Sequence, residues 1–310
     1  MMAEAYGKLT GKPGVCLVTR GPGATNASAG IHIAMQDSTP LVMLVGQVGR
    51  EMMDREAFQE IDYRRMYGEL TKWVAQIEDT SRIPEYISRA FHTATSGRPG
   101  PVVLALPEDM LTEYADTKII NSYQKIEAYP SPADLAQVEE MLSKSKAPLM
   151  IVGGGGWDEA SCQKIQNFVE KNHLPVGCSF RCQDYFDNRH PNYVGHIGIG
   201  LSTSLQDRII NSDLLVVIGA RLGEVTTSGY SLLDIPKPKQ QLIHIHSGAE
   251  ELGSVYQADL PINASPRSFA EAISQLEIAG SEKWASNTKQ GNDDYLETLI
   301  PKAIPGDVQM

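Results

Sequence analysis

Five short, nearly uninterrupted apolar runs do most to limit how this chain can fold. They are VCLV at 15–18, LVMLV at 41–45, VVLAL at 102–106, PLMIV at 148–152 and LLVVI at 214–218. Each is short for a buried helix and too continuously apolar for a strand with one wet face. Strands of this kind need cover on both faces, which means a parallel sheet between two layers of helices. The segments between the runs supply that cover. Helical spacing is expected over 25–35, 60–68, 81–94, 133–143, 159–171 and 269–276. In 81–94 the residues Ile83, Ile87, Ala90, Phe91 and Ala94 share one face. Further strands are expected at 73–76 and 241–246. The fold class is therefore α/β, with two doubly wound, mostly parallel-sheet, three-layer domains.

The rhythm breaks between about 112 and 132, where YPSP at 129–132 reads as linker. A chain of 310 residues holds two domains. The division is a first domain over 1–112, incomplete because the chain opens inside a helical pattern, a linker over 113–132, and a second domain over 133–278. From 279 the sequence turns polar (SEKWASNTKQGNDD) and reads as a second linker, over 279–310, toward a domain beyond it.

The formal net charge of −11 opposes binding to nucleic acid or anionic lipid, which need a basic surface. Cys16, Cys162, Cys178 and Cys182 form no C-x-x-C pair, so thiols in a reducing cytosol are a better account than zinc. No apolar run approaches the roughly 18 residues of a membrane span. MMAEAYGKLTGKPG lacks the regions of a signal peptide. The expected location is the cytoplasm.

TRGPGATN at 19–26 stands between a strand and a helix. Gly21 and Gly23 lack a Cβ and let something approach the main chain, while Pro22 fixes its φ. The following helix would aim its first amides at the crevice where α/β sheets bind ligands. On this pattern alone, a turn and a ligand site are equally open. The tetraglycine at 153–156 is not G-x-G-x-x-G, and no P-loop occurs. His244 and His246 share a strand face, where packing or hydrogen bonding at the sheet's end is a better account than metal. AFQE at 57–60 sets an aromatic and an amide side by side after a loop.

In order, GKPGV, TRGPGATN, DSTPLVMLVGQV, AFQE, ATSGRPGPV and LPEDML resemble the thiamine-diphosphate-dependent enzymes of the acetolactate synthase type over about residues 1–112. GGGG, DLLVVIGARL and HIH resemble that family's middle domain over roughly 133–278, less specifically. Members have a pyrimidine-binding, a middle and a diphosphate-binding domain. The resemblance implies a carboligase that decarboxylates a pyruvate-like 2-keto acid and transfers the acyl unit to a second carbonyl, in branched-chain amino acid biosynthesis. It places Gly21, Pro22, Gly23, Asn26 and Gln59 beside thiamine diphosphate held between two copies of the subunit. It places Phe58 and Gln59 on the substrate channel. An apolar wall such as Phe58 favours loss of charge on decarboxylation, and a neutral amide such as Gln59 bonds without titrating.

The family's relay glutamate precedes the stretch that MAEAY at 2–6 matches, so no catalytic residue is assigned, and Glu60 is not its positional match. The Gly-Asp-Gly motif that holds Mg2+ does not occur, and PGDV at 305–308 is not that motif. The resemblance therefore implies a portion of such an enzyme, inactive by itself. Many members also hold FAD against the middle domain. FAD-holding relatives often show aspartates after the first histidine of this strand, where HIHSGAEEL stands at 244–252, which weighs against FAD. Glyoxylate carboligase and sulfoacetaldehyde acetyltransferase activities are related alternatives. A regulatory module that binds a nucleotide or a partner without catalysis is the alternative from another class.

Overall fold

The computed structural model describes residues 1–301, so PGDV and the end of the stretch expected as a second linker lie outside the described residues. The chain divides into two compact units, Met1–Glu127 and Ala128–Met310. Every strand pairing in both is parallel.

The first unit runs α1 (Met2–Thr10), β1 (Gly14–Val18), α2 (Gly21–Gln36), β2 (Leu41–Gln47), α3 (Tyr63–Tyr67), β3 (Trp73–Gln76), α4 (Ile83–Thr95) and β4 (Pro101–Pro107). Its sheet has the order β1-β2-β4-β3. Alternate residues of the central strands feed two cores. Met43, Val45, Val103 and Ala105 pack with Ala24, Ile31 and Ala34 of α2 and Tyr63 and Tyr67 of α3. Val42, Val102 and Leu104 pack with Ala90 and Ala94 of α4. The continuous apolar runs thus reflect burial from both sides, each large side chain stabilising by about 1.5–3 kcal/mol. The edge strand β1 differs, since Val15 and Leu17 are 54% and 71% exposed.

The second unit runs α5 (Pro132–Lys144), β5 (Pro148–Val152), α6 (Glu159–Lys171), β6 (Val176–Ser179), β7 (Tyr193–Ile197), α7 (Thr203–Asn211), β8 (Leu214–Ile218), β9 (Gln241–His246), β10 (Leu260–Asn263), α8 (Pro266–Ile273) and α9 (Ala285–Thr298). The sheet order is β10-β9-β8-β5-β6-β7, so the order reverses between β5 and β8. One face packs against α5, α6 and α8, the other against α7 and the chain between β8 and β9.

Several elements depart from the sequence expectation. Helix α2 begins at Gly21 rather than 25, because proline is tolerated in a first turn, where an amide has no partner within the helix. Helix α3 is confined to Tyr63–Tyr67 because residues before it form a loop that Asp62 ends by accepting from the Arg65 amide. Helix α8 starts at Pro266 behind the cap Ser265 and ends at Ile273. Strands β6, β7 and β10 and helix α7 go unseen from sequence, since VGCS, YVGHI and LPIN are short and interrupted by glycine, histidine or proline.

The polar stretch from 279, read as linker, carries a 3-10 turn (Ser281–Trp284) and α9. Trp284 is fully buried and donates to the Ser145 carbonyl at 3.0 Å. Thr288 donates to the His173 carbonyl at 2.6 Å, and Asn292 to the Tyr193 carbonyl at 2.8 Å. The Tyr295 ring meets Tyr193 edge-on with centroids 4.8 Å apart. These positions repeat at helical spacing, but their contacts are mostly polar, so no apolar stripe marks them.

Candidate functional site

The candidate site lies at the carboxyl end of the first unit's sheet, where α/β folds bind ligands. After β1, Thr19 and Arg20 lead directly into α2. The Gly21 amide donates to the Tyr63 hydroxyl at 3.0 Å, and that hydroxyl donates to the Gly46 carbonyl at 3.2 Å. One buried phenol thus fastens the start of α2 to the end of β2. Burial pushes the Tyr63 hydroxyl above its ordinary pKa, so it stays protonated and able to donate. One helical turn on, the Tyr67 hydroxyl donates to the Ala24 carbonyl at 2.6 Å. The two rings stack with centroids 6.3 Å apart. Sequence reasoning missed this pair; the signal for it is the spacing of four between tyrosines in YRRMY.

The sequence-derived residues fall into two groups. Gly21 and Gly23 face the chain's own atoms. A Cβ on Gly21 would lie 2.9 Å from the Gln59 carbonyl oxygen, and one on Gly23 2.8 Å from Cγ2 of Thr19. On the side where a Cβ would stand, what approaches them is the 57–60 turn and Thr19. The helix start does not aim free amides at the crevice. The Gly21 amide is held by Tyr63, Pro22 has none, and the Gly23 amide donates to Arg20. Pro22, Thr25, Asn26 and Ala29, by contrast, are exposed. Their spacing puts them on one side of α2, a stripe that a flat ring can lie on.

The structure brings Gln59 against Gly21, so the two motifs TRGPGATN and AFQE meet. Gln59 stands at φ 66, in the left-handed region. The Glu60 amide donates to the Ala57 carbonyl at 2.9 Å, which makes 57–60 a tight turn. Phe58 sits at its tip, 80% exposed, unusual for so large an apolar side chain. Behind the turn, Gln47 is buried, donates to the Ile61 carbonyl at 2.8 Å and accepts from the Val48 amide at 3.0 Å. A crevice of about 230 Å³ lies there, lined in part by Gln47, Asp54, Glu60, Asp62 and Gln76.

In the second unit, the loops after β5 and β8 lie on each other. A Cβ on Gly154 would meet the Gly219 carbonyl oxygen at 1.9 Å, and one on Gly219 would meet that of Gly153 at 2.5 Å. The glycines there serve loop contact. His244 places Nε2 at 3.0 Å from the Ala220 carbonyl oxygen, and His246 accepts the Gly248 amide at 3.0 Å. Burial holds the His244 pKa down to about 4, so its ring is neutral near pH 7.

Residues 1–66 match the N-terminal TPP binding domain of thiamine pyrophosphate enzymes, and residues 135–273 match their central domain. The chain is 30% identical over 302 residues to a probable acetolactate synthase large subunit of Methanocaldococcus jannaschii, covering 91% of this chain and 49% of that protein. It is 30% identical over 317 residues to the acetolactate synthase large subunit of Corynebacterium glutamicum, covering 99% of this chain and 50% of that protein. It is 32% identical over 325 residues to acetolactate synthase isozyme 3 large subunit of Escherichia coli, covering 98% and 56%. The chain spans about half the length of these relatives. With both domain types matched in their family order, and with the two motifs of the first unit in contact, the chain belongs to the thiamine pyrophosphate enzymes and is similar to acetolactate synthase large subunits.

Proposed function

We propose that this chain carries the ring-binding side of a thiamine-diphosphate carboligase, which decarboxylates a pyruvate-like 2-keto acid and transfers the acyl unit to a second carbonyl. The contact between Gly21 and Gln59 carries the reading, because it joins the cofactor-side and substrate-side motifs in one place. When bound, thiamine diphosphate supplies the electron sink for cleavage beside the carbonyl. The chain's own residues fit its rings better than its phosphates. The exposed stripe of Pro22 and Asn26 offers an apolar face and an amide, whereas the amides at the start of α2 are already engaged. Gln59 holds a neutral amide that bonds substrate without titrating, and Phe58 offers an apolar wall that excludes water. Glu60 is not the relay's positional match, and both its oxygens accept backbone amides, which suits a structural role.

In this reading a second copy of the subunit completes the site, magnesium accompanies the diphosphate, and the enzyme works in the cytoplasm. No step is assigned to magnesium on these residues. The loop contact at Gly153, Gly154 and Gly219 accounts for the glycines without a flavin, so the geometry supports FAD no further than the sequence does.

Calorimetric titration of thiamine diphosphate, with magnesium, into the protein tests the site. Asn26→Ala should weaken binding about two- to tenfold, the worth of one neutral hydrogen bond. Equal affinity in the variant and the parent would remove Asn26, and with it the exposed stripe, from the proposal.

A further inference from the structure

We propose that Glu60 is a positioning residue: its carboxylate clamps the 54–60 loop shut and so fixes where Gln59 and Phe58 stand. The meaning of this clamp for substrate choice rests on the carboligase reading; the clamp itself rests on geometry.

The loop is strained. Asp54, Glu56 and Gln59 take φ of 62, 54 and 66, in the left-handed region that non-glycine residues seldom occupy. Gln59 holds the third position of the 57–60 turn, where a positive φ makes glycine usual. Three such residues in six persist only if surrounding contacts hold them. The Glu60 carboxylate supplies such contacts. Its Oε1 accepts from the Asp54 amide at 2.7 Å and its Oε2 from the Ala57 amide at 3.0 Å, so one side chain ties the start and the middle of the loop to its end. Bonds to an ionised acceptor are stronger than neutral ones. The clamped turn presses Gln59 onto Gly21, where no Cβ intervenes, and leaves Phe58 standing out at the tip. A glutamine at 60 offers one acceptor oxygen and can hold one of the two amides. An alanine holds neither.

The test uses the protein expressed from its complete reading frame. In Glu60→Ala, amide hydrogen exchange at Asp54 and Ala57 should accelerate about tenfold or more, as the local opening equilibrium loses its two bonds. Glu60→Gln should fall between, and it carries the comparison if the alanine variant does not fold. Gln59→Gly leaves the clamp in place, so exchange at Asp54 and Ala57 should stay as in the parent. With thiamine diphosphate and magnesium bound, the variants are then compared on two 2-keto acid acceptors that differ by one methylene. Glu60→Ala should shift the ratio of their kcat/KM values about tenfold, a larger change than in the cofactor Kd. Parental exchange rates in Glu60→Ala would overturn the clamp. Faster exchange with an unchanged acceptor ratio would overturn the positioning role. A parent protein without carboligation would refute the functional reading, and the exchange rates would then decide the clamp alone.

Discussion

Tyr63 is 2% exposed, and its hydroxyl stands between the Gly21 amide and the Gly46 carbonyl. Removing that one oxygen in Tyr63→Phe takes away the partner of a buried amide and of a half-buried carbonyl. The expected cost is about 1–3 kcal/mol, read as a lower urea midpoint at unchanged slope. A midpoint equal to the parent's would mean that the start of α2 is held by other contacts. At this scale the sequence was legible where a residue's type dictates its use and illegible where a neighbour does. Gly21 and Gly23 announced a close approach, but not that Gln59 and Thr19 make it. Gln59 gave no sign of its left-handed backbone, since a turn's third position normally announces itself by glycine. Tyr63 and Tyr67 lie in the core, and their hydroxyl bonds depend on the chain position of α2, which no local pattern encodes.

Among the elements, β9 places His244 in the interior, with its pKa held down to about 4 by burial. Because the unfolded histidine titrates near 6.5, the folded state binds fewer protons between the two values. The contribution of His244 is therefore complete above about pH 6.5 and is lost as pH falls toward 4, by roughly 3 kcal/mol. Urea midpoints of the parent should fall over that window more steeply than those of His244→Gln. Parallel pH profiles would contradict the burial argument. Helix α9 gives the second test. Trp284 fills the joint between the preceding turn and Ser145, and Trp284→Ala should destabilise by about 3–5 kcal/mol. A loss within about 0.5 kcal/mol would mean the segment is the linker its composition suggests. Strands β2, β4, β5 and β8 were readable because burial on both faces leaves a continuous apolar run. Strands β6, β7 and β10 were not, because four or five residues with a glycine, histidine or proline carry too little periodicity. Helix α9 hid for a related reason: it docks through Gly291, where a Cβ would lie 2.7 Å from Val194, and through the bonds of Thr288 and Asn292.

On the scale of the molecule, the chain is two parallel α/β units, and the family's N-terminal and central domain types match within them in order. Among the described residues no helix is long and apolar enough to cross a membrane. The motifs in the first unit made the family legible because several uncommon stretches recur in order, while the proposed activity rests on Pro22, Asn26, Phe58 and Gln59 meeting a cofactor and a second subunit. The measurement that bears most directly on this account is acetolactate formation from pyruvate by the protein expressed from its complete reading frame, with saturating thiamine diphosphate and magnesium. The account predicts turnover that requires both additions, and a Gln59→Ala variant that changes the choice of acceptor more than the affinity for cofactor. A protein that binds neither the cofactor nor pyruvate, or a Gln59→Ala variant that keeps the parent's acceptor choice and loses cofactor affinity instead, would contradict it.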